Sequence, residues 1–113
     1  MGVITENVWA FHSPGGLQFG VVDPVTQASA VAMTAPRALI STISGTAAMA
    51  TIQQPWPGFT GIIVYIPTGA FTGVTSGTAS GLNLPIGLAF TAVVGKALIM
   101  ACDGFKWFPN YVS

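Results

Sequence analysis

The stretch KALIMACDGFKWFP, residues 96–109, predicts the structural centre of this chain. Two apolar runs flank Asp103-Gly104, a dipeptide typical of tight hairpin turns because Gly adopts positive φ freely and Asp tolerates it. A two-residue turn there pairs, across two strands, Cys102 with Phe105, Ala101 with Lys106, Met100 with Trp107 and Ile99 with Phe108. Pro109 ends the second strand because it has no N–H to donate to a sheet. We therefore predict a C-terminal β-hairpin around which the other segments pack.

Upstream of the hairpin, short apolar segments alternate with turn residues. The predicted strands cover residues 39–43, 47–52, 61–66, 70–72 and 88–92. Residues 61–66 are apolar on both sides, which predicts a central strand of a two-layer structure. Residues 73–81 are small, polar and rich in Gly, which is typical of a surface loop. About seven or eight short strands at intervals of about 8–12 residues indicate an all-β protein, a compact antiparallel sandwich or barrel.

The N-terminal third is less regular, and we predict two parts: an arm or irregular segment over residues 1–37 and a β-domain over residues 38–113. Short apolar pieces in the first part are separated by breaks at Pro14, Pro24 and Pro36. An arm that lies on a neighbouring subunit would fit this pattern.

Charge is the unusual feature of the composition. Only 5% of the residues are Asp, Glu, Lys or Arg, against about 25% in typical soluble proteins. They are Glu6, Asp23, Arg37, Lys96, Asp103 and Lys106, which give a net charge of zero. Near-zero net charge favours association, so we expect protein neighbours to cover much of the surface. Three cations cannot form a patch that follows phosphates, which argues against a nucleic-acid partner.

A membrane partner is not expected either. The longest apolar run, residues 86–102, is interrupted by Gly95-Lys96, and a spanning helix needs about 20 mainly apolar residues. Its Gly and β-branched residues favour strands. No positively charged N-terminal region precedes an apolar core, so we predict no signal peptide.

The residues for catalysis or metal binding are few. With one Cys and one His, Cys102 and His12, the chain cannot form an internal disulfide or supply the four ligands of a structural zinc site. The three carboxylates are far apart in sequence, and the Gly-rich segment 69–81 lacks the Gly-Lys-Ser/Thr ending of a phosphate loop. We predict a protein that is not an enzyme and that has no catalytic residue, cofactor or metal.

Aromatic residues are the candidates for a binding surface, and both a core and an interface role stay open for them. The candidate interface residues are Trp9, Phe11, Trp56, Phe59, Trp107, Phe108 and Tyr111. Aromatic side chains are enriched at interfaces, and the prolines that flank Trp56 favour a rigid loop. Trp107 and Phe108 are neighbours on a strand and must face opposite sides. We expect one to face the core and the other a partner or a second layer.

Part of the chain resembles a known class of proteins. The segments 66–72, 83–84, 91–98 and 103–109 are similar to small β-rich structural proteins of tailed bacteriophages, in which a strand ending in Asp-Gly precedes a Lys-Trp-aromatic-Pro strand. The resemblance covers roughly residues 60–111. It departs from the pattern at Cys102, where a Tyr is more usual, and residues 1–60 carry no match.

This resemblance implies a component of the virion. The small size favours a capsid cement or decoration protein, a homotrimer on the capsid surface that binds and bridges major capsid subunits and stabilises the head. The alternative is a module of a tail fibre or spike that binds a host receptor or glycan.

Overall fold

Ten short β-strands make up the fold in a computed structural model, which describes residues 26–36 and 38–113. In chain order they are β1 (Thr26–Ala28), β2 (Ala32–Met33), β3 (Ile40–Ser44), β4 (Thr51–Gln53), β5 (Gly61–Pro67), β6 (Thr72–Gly73), β7 (Asn83–Pro85), β8 (Phe90–Thr91), β9 (Leu98–Cys102) and β10 (Trp107–Pro109). The predicted all-β fold is confirmed. Within the described ranges there is no helix long and apolar enough to cross a membrane.

The strands form three sheets that are bridged to one another. The largest has five strands in the order β1-β3-β5-β9-β10, the second has the order β2-β4-β7, and β6 pairs with β8. A bridge between Ile86 and Trp107 joins β10 to the segment that follows β7. Another, between Met49 and Gly73, joins β6 to the segment that precedes β4. The sheets therefore wrap around one shared core.

Pairing within the sheets is mixed, whereas the strand pattern of the sequence predicted an antiparallel arrangement. The three strands β1, β3 and β5 run parallel, as do β2 and β4, while β5, β9 and β10 are antiparallel. The reason is that β4 leaves for the second sheet, so that β3 and β5 become neighbours. Residues 45–60 form the crossover connection that a parallel pair requires.

The C-terminal hairpin is present, but its register differs from the predicted one by two residues. Trp107 lies opposite Cys102, and the loop has four residues, 103–106. The Asp103 carboxylate accepts hydrogen bonds from the backbone N–H groups of Phe105 and Lys106, each at 2.8 Å. This side chain closes a wider turn than the predicted one. Because a shift of two preserves the alternation of the strand, each side chain stays on its predicted face.

The core lies between the sheets and is filled by large apolar side chains. The largest fully buried ones are Trp107, Tyr65, Phe59, Phe71, Met33, Ile43, Met49, Ile52, Ile63, Ile86, Leu98 and Met100. The indole N–H of Trp107 donates to the carbonyl of Ile52 at 2.9 Å. This buried hydrogen bond ties the hairpin in the first sheet to β4 in the second.

The predicted N-terminal arm is only partly within the described residues. Residues 26–36 include β1 and β2, which pair with β3 and β4. The backbone N–H of Ser29 also donates to the carbonyl of Ser44 at 2.7 Å. This portion therefore belongs to the sheets. Residues 1–25, with Trp9 and Phe11, lie outside the described residues.

Candidate interaction surface

The five-stranded sheet has one face in the core and the other directed outward. Along β5, Ile63 and Tyr65 are fully buried, whereas Ile62 is 42% exposed and Val64 is half-buried. The same alternation occurs in β3, where Ile43 is buried in the core. This pattern follows from the period of two residues in a strand.

Strand register arranges the outward side chains in rows. In one row Ile40 lies opposite Val64, which lies opposite Ile99. In a second row Ile62 lies opposite Ala101, which lies opposite Phe108. We call this surface the outer face and define it by the residues of the five strands that share this side, Thr26, Ala28, Ile40, Thr42, Ser44, Ile62, Val64, Ile66, Ile99, Ala101 and Phe108.

The outer face is mainly apolar, with Thr26, Thr42 and Ser44 as its polar side chains, and it contains no charge. None of the five strands of the sheet contains a charged residue. A sheet face that meets water normally carries polar side chains that alternate with the buried ones. Here, however, Ile40, Ile62 and Phe108 are 47%, 42% and 38% exposed. Such a face resembles the inner side of a two-layer structure that lacks its second layer.

The size of this surface is in the range of functional patches. Five strands at spacings of about 4.8 Å and a central strand of seven residues give a face of about 19 by 23 Å. Because the outer strands are shorter than β5, this rectangle of about 400 Å² is an upper limit, and it lies within the range of about 300–600 Å² for the largest apolar patch of a typical monomer, which is often functional. We therefore take the outer face as the candidate site.

Gly87 positions the ring of Phe108 at one edge of the outer face. The backbone N–H of Gly87 donates to the carbonyl of Trp107 at 2.8 Å. A Cβ atom at residue 87 would lie 2.5 Å from the Phe108 ring, closer than any ordinary carbon contact. The absence of a side chain there lets the ring lie against the backbone and remain partly accessible.

The two ends of the molecule carry further exposed apolar side chains. At the hairpin end, Phe105 is 76% exposed. At the opposite end Val93, Val94 and Val112 are exposed. There the Tyr111 hydroxyl accepts from the N–H of Val93 at 3.2 Å and donates to a backbone carbonyl, that of Lys96, at 3.0 Å. These contacts hold the C-terminal tail against the loop.

The five predicted aromatic interface residues that lie in the described part of the chain do not form one surface. Phe59 and Trp107 are buried in the core, and Trp56 is half-buried, edge-on to Phe59 with ring centres 4.9 Å apart. Phe108 lies on the outer face, and Tyr111 lies in the C-terminal tail. Trp107 therefore faces the core and Phe108 faces outward. The expectation that these two neighbours lie on opposite sides of the strand is confirmed. That any of these residues contacts a partner stays a prediction.

Sequence reasoning missed the aliphatic residues of the outer face. The candidate interface residues were all aromatic, whereas the rows of the outer face consist mainly of the aliphatic residues Ile40, Ile62, Val64 and Ile99. The signal was present in residues 61–66, an apolar run that was correctly assigned to a central strand with two apolar sides. The missing information was that only one of those sides would be covered by the chain's own core.

The groups available for chemistry in the described residues are few. Among residues 26–36 and 38–113, no three His, Cys, Asp or Glu side chains are grouped so that they could hold a metal ion. Cys102 is buried, and desolvation raises the pKa of its thiol, which disfavours the reactive thiolate. Hydrogen bonds from the loop backbone to Asp103 lower the pKa of that exposed carboxyl group.

Comparisons with known proteins give no family for this chain. No protein-family model matches it, and neither a curated protein nor a solved structure is significantly similar to it.

Proposed function

We propose that this chain is a non-enzymatic structural protein of a virus particle, a capsid cement or decoration protein that works by covering its outer face with neighbouring protein. The single observation that carries the proposal is the uncharged, apolar outer face. It occurs in a chain with only 5% charged residues, so few other groups can keep the free subunit dispersed.

The energetics of the outer face favour a repeated assembly over a single strong contact. At about 25 cal/mol per Å², burial of at most about 400 Å² of the outer face contributes up to about 10 kcal/mol from this side of the contact, and the partner's side adds at most a similar amount. Association costs about 4–15 kcal/mol in lost freedom and side-chain ordering. The cost of association therefore offsets much of the gain from one contact, whereas contacts repeated around a trimer and over a shell add through multivalency.

The partners in this proposal are other copies of the chain, as a homotrimer, and the major capsid protein at the capsid surface. The resemblance of residues 60–111 to small phage structural proteins supports this choice. Bridging of neighbouring capsid subunits would then strengthen the shell mechanically, and no reaction or cofactor is involved.

Light scattering after size exclusion, together with co-sedimentation with capsids, tests the proposal. We expect a discrete oligomer that co-sediments with shells. Val64→Lys, which places a charge at the centre of the outer face, should abolish both properties. Thr78→Lys is the matched control, because residue 78 is exposed in the Gly-rich loop. A monomeric wild-type chain that does not bind shells would overturn the proposal.

A second candidate function, receptor or glycan binding as part of a fibre or spike, is favoured by Phe105. This aromatic ring is 76% exposed at the end of the hairpin, beside the hydrogen-bonding groups of the 103–106 loop. Binding on a glycan array that is lost in Phe105→Ala and kept in Val64→Lys would favour this function. An array without signal would remove it.

A further inference from the structure

The area of the outer face limits which kind of protein segment can cover it. Face-to-face packing of two such sheets would bury about 800 Å² in total, since each contributes about 400 Å². Stable specific interfaces bury about 1,200–2,000 Å². The face alone is therefore too small for a stable dimer of sheets, and its size suits one extended segment.

The sequence contains a segment of the right length and chemistry, LQFGVV, residues 17–22. No charged residue lies within it. In an extended conformation its six residues would span about 20 Å, similar to the width of the five-stranded sheet at about 19 Å. Leu17, Phe19 and Val21 would then share one side, which gives three apolar side chains that could pack on the rows of the outer face.

Segment 17–22 also lies close in sequence to the edge strand of the sheet that carries the outer face. Thr26 begins β1, the outermost strand of the same sheet, and lies opposite Thr42 of β3. Segment 17–22 therefore precedes the edge of the sheet by only three residues. The link consists of Asp23, Pro24 and Val25.

The low charge of the whole chain favours the face of a neighbouring copy over the face of the same sheet, because near-zero net charge favours contacts between copies. Asp23-Pro24 is a dipeptide that favours a turn, so the link allows segment 17–22 to leave the line of β1.

We propose that segment 17–22 of one copy packs on the outer face of a neighbouring copy, so that the subunits of the oligomer are joined by exchanged N-terminal arms. This inference rests on the proposed function, since it requires that the chain assembles. It adds the identity of the occupant and the direction of the exchange between subunits.

Cysteine cross-linking between two separately tagged full-length variants tests the inference. One carries Phe19→Cys in the segment and the other Val64→Cys in the outer face. They are mixed, equilibrated and oxidised. A disulfide between them can form only between copies. Cys102 contributes little background because it is 5% exposed and faces the core.

We expect a covalent heterodimer from this mixture in at least about tenfold excess over the control mixture of Phe19→Cys with Thr78→Cys, the ratio that corresponds to about 1.4 kcal/mol of preference. An oligomer without this excess would overturn the inference and leave the proposed function standing. A doubly substituted chain that cross-links only within itself would overturn it too. A wild-type monomer would instead remove the proposed function.

A pair of charge substitutions in the segment gives an independent measurement that leaves the described core intact. Leu17→Lys should raise the dissociation constant of the oligomer at least about tenfold, because a buried side chain of this kind contributes more than 1.4 kcal/mol. Gln18→Lys, on the opposite side of an extended segment, should change it less than about threefold. Equal effects of the two substitutions would contradict the proposed packing.

Discussion

Trp107→Phe tests the link between the hairpin and the second sheet. The indole of Trp107 is fully buried and donates to the carbonyl of Ile52 at 2.9 Å. Phe cannot donate, so this buried carbonyl loses a partner at a cost of about 1–3 kcal/mol. The smaller ring also leaves a void, for which about 1 kcal/mol is a fair share of the 3–5 kcal/mol for complete truncation of Trp. We expect a total loss of about 3 kcal/mol.

Urea unfolding followed by far-UV circular dichroism, at one fixed protein concentration, measures this loss. In a thermal scan it corresponds to a fall in Tm of roughly 10–15 °C for a domain of this size. Trp56→Phe is the matched control. Trp56 is only half-buried against Phe59, so we expect a loss of about 1 kcal/mol. If Trp107→Phe costs no more than the control, the hydrogen bond does not tie the sheets together.

Three further substitutions test separate parts of the structure. Tyr65→Phe should leave stability unchanged or raise it by up to about 2 kcal/mol, because the buried Tyr65 hydroxyl has no hydrogen-bond partner among the described residues; a loss of stability would show that the hydroxyl is satisfied. The lowered pKa of Asp103 means that its stabilising contribution is present above its ordinary value of 3.8 and is lost as the pH falls through the lower folded value. Asp103→Asn should therefore flatten the stability profile below pH 3.8, and an unchanged acid slope would contradict this origin. Gly87→Ala should cost about 1–3 kcal/mol in urea unfolding because the new methyl group displaces the Phe108 ring. The double variant with Phe108→Ala should cost less than the sum of the single changes, and strict additivity would refute the contact.

The hairpin shows what local sequence can and cannot predict. The apolar runs on both sides of Asp103-Gly104 correctly predicted β9 and β10, and the alternation placed Trp107 and Phe108 on opposite faces. The register was wrong because the Asp103 carboxylate bonds to two backbone N–H groups. That side-chain geometry favours a four-residue loop over the two-residue turn that the dipeptide alone indicates.

The order of the strands in the sheets could not be predicted from the sequence, for a different reason. The pattern of residues 61–66 correctly predicted a central strand, but strand patterns do not encode which strands become neighbours. The parallel pairing of β3 with β5 depends on β4 leaving the sheet through the crossover at residues 45–60. The two-residue strands β6 and β8 are likewise defined by their mutual pairing, which no local propensity specifies.

The sequence predicted an uncharged interaction surface but not which residues form it. The low charge indicated a surface that lacks ionic groups, and Phe108 was among the expected interface residues, whose contact with a partner stays a prediction. Its neighbours Ile62 and Ala101 could not be found without the register, because they come from strands about 40 residues apart in sequence. A surface made of rows across several strands is visible only once the strands are ordered.

The central claim is that protein neighbours cover the outer face in the assembled state, and the alkylation rate of a thiol at its centre tests this most directly. Val64→Cys is treated with a maleimide reagent in the oligomer and after dilution to dissociated subunits, with Thr78→Cys as the exposed reference. We expect the Val64→Cys thiol to react at least about tenfold more slowly in the oligomer, while the reference thiol reacts equally in both states. Equal rates for Val64→Cys in the two states would contradict the account.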